Sequence, residues 1–549
     1  MSAAARWPRA GPSRKRIVGP VKQQSLAHAV EGNVRPGDVV HLVCGHSRWS
    51  AAARELVRQQ WGADPGYTLV MLSLSSLGAL FFRGGMVRKV VTAYSGDTFP
   101  TYTPNPIFRD AYKSGEVEVE HWSILTFTQR LEAAARGLPA VTTGSLAGSS
   151  MAANDAYAEV DSPFGPVGLL APLVPDVALL HAPVADAAGN VAVAAPFLEG
   201  VWGAWAARRG AIVTVEKVVE DLGPWGHLVQ LPAHRVLAVA EAPFGAHPGG
   251  LFARGLPVEG YGEDIPFWTA ARDATRGDFD TWAKHWCLEP ATQDEYLERL
   301  GTDKLDWLRS RTDPESWRAD AEAHPVDEAA PVTGWETAAA VAARELVARI
   351  DTLGADAVLA GAGVANLAAW VGVARARGEG RDVCLTAELG LWGYTPTPAD
   401  PYIFNHRVFP GSSMLTDATR VLGMVIGGPG TVSIGCLGAA QATRRSSPAA
   451  RSSSARAAET MSRAAPTSAS SSRLPAPNVC PRRSATSPAP AGGWRRWSPT
   501  SASCASATAS CGSRRCRRAA TRWTNGCAPC ARHAAGTCRW TGRSRSSHR

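Results

Sequence analysis

The C-terminal fifth of this 549-residue chain lacks most of the residue types from which a folded core is built. Residues 442–549 contain no Lys, Asp, Ile or Phe, a single Leu, a single Val and one acidic residue, Glu459. A segment of this composition cannot bury enough apolar surface to offset the conformational entropy that it loses on folding. The sequence therefore predicts a disordered, Arg-rich tail over residues 442–549.

The charge of the chain is divided unevenly between this tail and the body. The formal net charge is +9 for the whole chain, but the twenty Arg and one Glu of residues 442–549 give the tail +19, which leaves residues 1–441 at −10. The body is mildly acidic and rich in Val, Leu, Ala and Gly, as is usual for a soluble globular protein. The basic average therefore does not indicate a nucleic-acid-binding body.

The chain also has little of what membrane insertion or secretion requires. The sequence contains no run of about 18 apolar residues, so we expect no spanning helix. Residues 1–20 are basic but have no apolar central region, so we predict a disordered N-terminus and no signal peptide. The body has four scattered cysteines, Cys44, Cys287, Cys384 and Cys436, which suits a reducing, cytoplasmic location.

Strand-like and helix-like runs alternate along the first part of the body. Strands are predicted by "GDVVHLVC", "YTLVMLSL", "VRKVVTAY", "DVALLHA" and "GAIVTVEKVV". Helices are predicted by "SAAARELVRQQ", "LTFTQRLEAAARG" and "FLEGVWGAWAARRG", the last two closed by Gly. Such alternation favours a mostly parallel sheet that is covered on both faces, and we predict an α/β domain over residues 21–312.

A second α/β unit follows residues 313–333, an acidic segment with several Pro and Ala that we interpret as an interdomain linker. Helices are predicted by "ETAAAVAARELVARI", "ANLAAWVGVARARG" and "MLTDATRVLGMV", and strands by "DAVLAGAG", "DVCLTAE" and "TVSIGCLGAAQ". The expected architecture is two tandem open α/β/α domains, with the second one, residues 334–441, truncated where the tail begins.

The stretch "RDVCLTAELGLWGY" (381–394) carries the strongest candidate for chemistry. A predicted strand ends at Glu388, and open α/β sheets place their sites at the carboxyl ends of parallel strands. A surface Glu at a strand end is the alternative. In "LAGAGVANLAAWVGVARA" (359–376) a strand, a Gly-rich turn and a helix follow one another, and backbone N–H groups at such a helix start can hold an anion or an oxyanion. The turn lacks the full spacing of a dinucleotide site.

Two further groups of polar residues are candidates for contact with a substrate. His46, Ser47 and Arg48 follow the first predicted strand, at the end of the sheet where sites are expected. His247 lies in "GAHPGG", where a structured Gly/Pro loop is the alternative interpretation.

Several motifs together resemble a known enzyme family. "TAELG", "AGAGVANLAA" and "SIGCLGAAQ" resemble the β half of the family I coenzyme A transferases, the group with glutaconate and 3-oxoacid CoA-transferases. "GLPAVTTGSLAGSSM", "PDVALLHAPVADAAGN" and "EAPFGAHPGG" resemble the α half and its relatives among ring-opening CoA hydrolases. We interpret His181, Asp186 and Asn190 of the second of these motifs as a structural turn. The resemblance covers about residues 20–441 and implies fused α and β halves.

The resemblance implies transfer of CoA through a covalent enzyme intermediate. It assigns the nucleophile to Glu388 and the oxyanion- and CoA-binding turn to Gly361, Gly363, Val364 and Ala365. The implied cycle is ping-pong, with an acyl-CoA and a carboxylic acid as substrates and a glutamyl-CoA thioester between the two half-reactions. Coenzyme A enters as part of the substrate, and neither a metal nor a permanently bound cofactor is implied. A homo-oligomer is also expected, and hydrolysis of an acyl-CoA on the same fold remains the alternative.

The tail has three interpretations with different consequences for function. As a basic arm it would bind nucleic acid through phosphate contacts. "CAPC" (527–530) with His533 suggests a zinc site, although a lone CxxC without a second pair is weak support. In the third interpretation the tail is translated in the wrong frame, since out-of-frame reading of GC-rich DNA yields Arg, Ala, Ser, Pro, Gly, Cys and Trp.

The genetic code supports the third interpretation. With GC-rich codons read one base earlier, "SSSARAAETMSRAAPTSASSS" permits "VVVGSGGGDDVASSADERVVV", and "WRRWSPTSASCA" permits "VAAVVTDLGVLR". These strings contain the β-branched residues, acids and turn glycines that the tail lacks, and they also resemble the β half of the transferase family. We therefore predict a frameshift near residue 442 that leaves the chain as translated poorly soluble and weakly active.

Overall fold

The structure of the protein is a computed structural model that describes residues 22–43, 50–97, 103–361, 363–397, 405–428 and 431–436. The sequence predictions for residues 1–20 and for the tail lie outside these residues. In the described part the α-helices are α1 (Leu26–Glu31), α2 (Ser50–Gln60), α3 (Ala79–Arg83), α4 (Pro106–Ser114), α5 (Ile124–Ala135), α6 (Trp202–Ala206), α7 (Ile265–Ala274), α8 (Phe279–Ala283), α9 (Gln293–Leu300), α10 (Thr302–Ser310), α11 (Trp317–Ala323), α12 (Gly334–Leu353) and α13 (Val364–Gly378).

The strands fall into two groups along the chain. The first half contains β1 (Val39–Leu42), β2 (Tyr67–Met71), β3 (Ser73–Leu74), β4 (Val87–Thr92), β5 (Tyr94–Ser95), β6 (Glu118–His121), β7 (Val141–Thr143), β8 (Tyr157–Ser162), β9 (Gly165–Leu170), β10 (Val177–Asp186), β11 (Val191–Ala192), β12 (Gly210–Val219), β13 (Val229–Leu231) and β14 (Val236–Glu241). The second half contains β15 (Ala357–Ala360), β16 (Cys384–Ala387), β17 (Leu391–Trp392), β18 (Met414–Leu415) and β19 (Ser433–Cys436).

Seven parallel strands form the main sheet of the first half, in the order β14-β12-β10-β1-β2-β4-β6. β11 pairs antiparallel with β10, and β13 pairs antiparallel with β11. Every residue of β10 is buried, as expected for a central parallel strand that is covered on both faces. The prediction of an α/β fold around a mostly parallel sheet is confirmed.

The second half is built around a smaller sheet in the order β18-β17-β16-β15-β19. β16, β15 and β19 are parallel, whereas β17 and β18 run antiparallel to their neighbours. α12 begins with a capping box, in which the Thr333 hydroxyl accepts the Glu336 N–H and the Glu336 carboxylate accepts the Thr333 N–H. α13 packs closely on α12 at Gly372, which has no side chain. A Cβ at this position would lie only 2.8 Å from the Leu346 side chain.

Two predicted helices differ in the structure. "FLEGVWGAWAARRG" forms only the short α6, because Leu198 (φ 53°) and Gly200 (φ 72°) adopt left-handed conformations that a right-handed helix does not contain. "MLTDATRVLGMV" starts as β18 and then forms a π-helical segment, Thr419–Ile426. In the first case backbone hydrogen bonds to the second half replace the helical ones, so tertiary contacts override local periodicity.

The predicted linker is attached to both halves. Residues 313–333 contain α11, whose Asp320 carboxylate accepts hydrogen bonds from Arg311 of the first half at 3.0 and 3.1 Å. The same carboxylate binds Arg407 of the second half, and the Arg407 side chain is buried. The segment therefore does more than connect the halves, because its carboxylate bridges a cation from each of them.

The two halves also share one apolar core. Val70, Leu72 and Trp122 of the first half belong to the same buried cluster as Leu389 and Tyr394 of the second. A separate cluster on the other side of the main sheet holds first-half residues alone. The carboxyl end of the main sheet is therefore buried against the second half.

Candidate active site

Glu388 directly follows β16 at the carboxyl edge of the second sheet. β16 and β15 pair in parallel register, with Ala387 opposite Ala360. Glu388 and Gly361 are therefore the first residues beyond the two paired strands, and neighbouring strands lie about 4.8 Å apart. The sheet thus brings the candidate nucleophile and the Gly-rich turn to the same edge.

The turn after Glu388 requires a glycine. Gly390 has a φ of 115°, and its N–H donates to Ala387 O at 3.1 Å. A Cβ at this position would lie 2.2 Å from the carbonyl oxygen of Thr416. The N–H of Thr416 donates to Gly390 O at 2.8 Å. The close approach of residue 416 therefore fixes the conformation of the turn that carries Glu388.

A segment of the first half holds the same turn from the other side. Leu198 N–H donates to Leu389 O at 3.0 Å, and Phe197 N–H donates to Thr416 O at 2.8 Å. Leu198 O in turn accepts the Ala418 N–H at 2.8 Å. We call residues 197–198 the strap. The residue after Glu388 is thus bonded directly to the first half of the chain.

The carboxyl group of Glu388 is poorly solvated and has no charged partner among the described residues. Glu388 is partly exposed as a residue, yet burial of its carboxyl raises its pKa to about 7. Within the described ranges, no residue forms a hydrogen bond or an ion pair with this carboxyl. A desolvated carboxylate is a stronger nucleophile than a solvated or paired one, because no hydration shell or counter-ion stabilises its charge.

The N–H groups of the Gly-rich turn differ in whether they are engaged in hydrogen bonds within the protein. Gly361 N–H is already used, because it donates to Cys436 O of β19 at 2.8 Å. Gly363, with a φ of 66° and a ψ of −133°, precedes α13 and accepts the Asn366 N–H at 3.0 Å. The N–H groups of Gly363, Val364 and Ala365 lie at the start of α13 and donate to no other backbone group among the described residues. The helix dipole also favours an anion at this position.

His247 is enclosed within the first half. Its side chain is fully buried, with Nδ1 2.7 Å from Tyr296 Oη and Nε2 3.1 Å from Asp264 Oδ2. Burial lowers the pKa of His247, in spite of the opposing effect of Asp264. Because both ring nitrogens have protein partners, the geometry favours the structured-loop interpretation over contact with a substrate.

The remaining polar candidates from the sequence lie outside the described residues or have hydrogen-bond partners within the first half. His46, Ser47 and Arg48 lie outside the described residues. Asp186 accepts hydrogen bonds from the N–H and the side-chain amide of Asn190, both at 2.8 Å, and so closes a turn. The buried His181 is held by Thr214 and Glu216 at 3.0 and 2.8 Å. These hydrogen bonds give His181, Asp186 and Asn190 structural partners within the first half.

Sequence reasoning did not identify two contacts that join the halves. The first is the strap, for which the pairing of Gly200 with a nearby Pro in "PFLEG" is a weak turn signal. The second is the hydrogen bond between the buried side chains of Glu263 and His406. A Cβ at Gly250 would lie 2.6 Å from His406 Nδ1, so a glycine of "GAHPGG" makes room for a side chain of the second half.

In the described part of the chain, no group of three or more His, Cys, Asp or Glu side chains has the geometry to hold a metal ion. No helix among the same residues is long and apolar enough to cross a membrane.

A desolvated carboxyl beside the donors of a helix start is the arrangement that an acyl-transfer enzyme with a carboxylate nucleophile requires. The comparisons with known proteins agree with this class. The profile of the family described as coenzyme A transferase matches residues 23–241.

Two curated relatives match along nearly their whole length. One subunit of 3-oxoadipate CoA-transferase from Pseudomonas knackmussii is 31% identical over 296 residues, which are 51% of this chain and 98% of the relative. One subunit of glutaconate CoA-transferase from Acidaminococcus fermentans is 28% identical over 321 residues, 52% of this chain and 93% of the relative. The crystal structure of the glutaconate enzyme matches with 25% identity and a TM-score of 0.48, over 52% of this chain and 95% of that one.

The chain belongs to the coenzyme A transferase family and is an enzyme that transfers coenzyme A. Each of the two curated relatives is one subunit of its transferase, and each match spans about half of the present chain. The family resemblance predicted from the motifs is thereby confirmed.

Proposed function

We propose that the enzyme moves CoA from an acyl-CoA thioester to a carboxylic acid by a ping-pong route in which Glu388 is the nucleophile. The observation that carries the proposal is the position of Glu388, whose desolvated carboxyl ends β16 beside the turn that begins α13. The proposal concerns the second half of the chain, which lies beyond the family match over residues 23–241.

The first half-reaction follows from these groups. One oxygen of the Glu388 carboxylate attacks the thioester carbonyl carbon, the C–S bond breaks, and CoA leaves as a thiolate, which gives a mixed anhydride. The thiolate then attacks the glutamyl carbonyl carbon and releases the acyl group as its carboxylate. The enzyme is left as a Glu388–CoA thioester, and no proton is consumed.

The second half-reaction reverses these steps with an acceptor carboxylate. At each attack negative charge develops on a carbonyl oxygen, and the N–H groups of Gly363, Val364 and Ala365 are the donors that would stabilise it. Gly361 takes no part in this role, because its N–H pairs with β19.

The strap gives a structural reason for the two halves to act as one unit. Leu198 and Phe197 of the first half hold the segments on either side of Glu388. A nucleophile that is displaced by about 1 Å typically loses on the order of 100-fold in rate, so a turn held by only one half would be a poor platform.

Trapping the covalent intermediate tests the proposal. Two proteins are compared: the full chain, and a version in which the codons after residue 441 are read one base earlier. Each is incubated with 3-oxoadipyl-CoA or glutaconyl-CoA, substrates chosen from the names of the two relatives. Borohydride then reduces a glutamyl thioester to an alcohol, which peptide mass spectrometry locates. We expect the reduced residue at position 388.

Two variants serve as controls. Glu388→Gln removes the nucleophile and is expected to abolish the adduct, whereas Glu379→Gln changes an exposed acid that is paired with Arg375 and is expected to leave it unchanged. Release of free CoA and free acid without any adduct would show a hydrolase instead of a transferase. An adduct on another residue would refute the assignment of Glu388.

A further inference from the structure

The backbone pairing of β15 with β16 ends before the two parts of the proposed site. The last residues that it pairs are Ala360 and Ala387. Glu388 and the N–H groups at the start of α13 both lie beyond this point. A ladder of backbone hydrogen bonds fixes the separation of the residues that it pairs, and the turns beyond it depend on other contacts. The distance from Glu388 to the start of α13 therefore depends on contacts between α13 and the segment around Glu388.

One buried hydrogen bond joins α13 to that segment. Trp370 Nε1–H of α13 donates to Tyr394 Oη at 3.0 Å. Trp370 is 8% exposed and Tyr394 is fully buried. The two rings meet nearly at right angles, with their centroids 6.5 Å apart. Because a buried indole N–H needs an acceptor, this bond fixes the orientation of the Trp370 ring.

Both partners lie close to the groups of the proposed site. Tyr394 follows the hairpin of β16 and β17, which carries Glu388 in its turn. Gly393 N–H, just before Tyr394, donates to Leu385 O at 2.8 Å and closes this hairpin. Trp370 lies about 9 Å along the helix axis from the start of α13, and helical side chains lean toward the helix N-terminus. The bond therefore connects the first turns of α13 to the hairpin of Glu388.

A second contact attaches the other end of α13. Arg377 Nε donates to Val383 O, just before β16, at 2.9 Å. Trp370 lies about two turns nearer to the helix start than Arg377 does. The bond of Trp370 therefore has the greater control over the position of the N–H groups that begin α13.

We propose that Trp370 and Tyr394 are positioning residues for the transfer of CoA, because their hydrogen bond sets the distance between the Glu388 carboxylate and the N–H groups at the start of α13. Both side chains are buried in the apolar core that the two halves share, and they act through Glu388 and α13 without touching the substrate. Leu198 of the strap belongs to the same core, so the helix, the hairpin and the strap meet there. This inference rests on the proposed role of Glu388.

Rapid-quench measurement of adduct formation by the full chain tests the proposal. Tyr394→Phe removes the acceptor of the hydrogen bond and keeps the ring. We expect the rate constant for formation of the Glu388–CoA adduct to fall about 10-fold, because a small displacement of reacting groups slows the chemical step. The amplitude reports the fraction of competent enzyme and is expected to stay unchanged. A merely structural role would lower the amplitude and leave the rate constant as it was.

Two further variants and a matched control make the test specific to this bond. Trp370→Phe removes the donor and should also lower the rate constant about 10-fold. The double variant should lose no more than either single variant, because the same bond is broken in all three. Tyr112→Phe is the control, since it removes a buried hydroxyl that lies 2.9 Å from Ser95 Oγ in the first half. Its rate constant should stay within about twofold of that of the unaltered chain.

Two kinetic results would overturn the proposal. An unchanged rate constant in Tyr394→Phe would show that the bond does not position the nucleophile. A loss of about 100-fold in the double variant would show that the two side chains act separately. An unaltered chain that transfers CoA without forming the adduct would instead refute the role of Glu388, so the two proposals fail by different measurements.

Hydrogen exchange followed by mass spectrometry examines the bond without an assay of activity. The amides of Gly390 and Gly393 donate to Ala387 O and Leu385 O within the hairpin. Peptides that contain these amides should exchange about 10-fold faster in Tyr394→Phe than in Tyr112→Phe, because the hairpin opens more often when it is no longer bonded to α13. Equal exchange in the two variants would show that the bond does not hold the hairpin, and would overturn the proposal.

Discussion

The backbone N–H of Leu198 donates to the carbonyl oxygen of Leu389 at 3.0 Å, across a sequence separation of almost two hundred residues. This bond joins the first half of the chain to the residue that follows Glu388. Leu198 adopts a left-handed φ of 53° while its side chain is 7% exposed. A leucine in that conformation is strained, and the contacts on both sides of the strap hold it there.

Breaking this bond is expected to displace Glu388. Leu198→Pro removes the N–H and imposes a φ near −65°, so we expect formation of the Glu388–CoA adduct to slow by about 100-fold or more. Leu198→Gly keeps the N–H and accepts a positive φ, and should retain most of the rate. Rapid-quench measurement of adduct formation compares the two. Equal rates for the proline and glycine variants would show that the strap does not position the nucleophile.

The rate of the first half-reaction should follow the ionisation of Glu388. Because burial raises the pKa of this carboxyl to about 7 and only the carboxylate attacks, adduct formation is expected to rise with pH through about 7 and to level off above about 8. A profile that levels off near pH 5 would show that water reaches the carboxyl.

The same pKa makes Glu388 a destabilising group at neutral pH. The unfolded chain releases this proton near pH 4.5 and the folded chain near pH 7, so stability is lost as the pH rises between these values. Glu388→Gln is therefore expected to raise the free energy of unfolding at pH 8 by about 1–3 kcal/mol and to have little effect below pH 4.5. Urea denaturation at the two pH values checks this difference.

Gly390 should tolerate no side chain. Gly390→Ala places a Cβ within 2.2 Å of Thr416 O at a φ of 115°, and we expect a loss of about 2–4 kcal/mol in the free energy of unfolding together with impaired trapping at Glu388. Gly411→Ala is the matched control, because no atom lies within 4 Å of its added Cβ and the change should stay within about 0.5 kcal/mol. Denaturant titration of both variants makes the comparison.

His247 is expected to act on stability and not on substrate binding. His247→Gln disrupts the buried hydrogen bonds to Tyr296 and Asp264 and should lower the free energy of unfolding by about 2–4 kcal/mol. Tyr296→Phe removes one of these bonds alone and should cost about 1–2 kcal/mol. The KM for the acyl-CoA is expected to remain within about twofold of the unaltered protein in both variants. A tenfold rise in KM for His247→Gln alone would restore a role for this side chain at the substrate.

The buried His41 should make the first half sensitive to acid. Burial lowers its pKa to about 4, and its Nδ1 lies 3.0 Å from Val70 O inside the sheet. The unfolded chain takes up this proton near pH 6.5, so stability is lost as the pH falls from 6.5 to 4, by about 3 kcal/mol for this group. Unfolding curves of His41→Asn should show a smaller loss over this range, whereas His28→Gln, a change at an exposed histidine, should show the full loss.

The local sequence pattern was sufficient to predict much of the secondary structure. The run "GAIVTVEKVV" coincides with β12, and "SAAARELVRQQ" coincides with α2. Burial on both faces makes a parallel strand a continuous apolar run, and one-sided burial gives a helix its periodicity, so both signals lie in neighbouring residues. The motifs of the two halves together were also sufficient to predict the family, which the family match over residues 23–241 confirms.

The tertiary structure decided the rest, because the deciding contacts join residues far apart in the chain. Residues 197–210, predicted as one helix, form the strap and the short α6. The N–H of Gly361 is engaged by the pairing of β15 with β19. The tertiary structure also set the pKa of Glu388, which depends on how closely the folded chain surrounds one carboxyl. No window of neighbouring residues contains that information, since desolvation is a property of the folded packing and not of the sequence around the group.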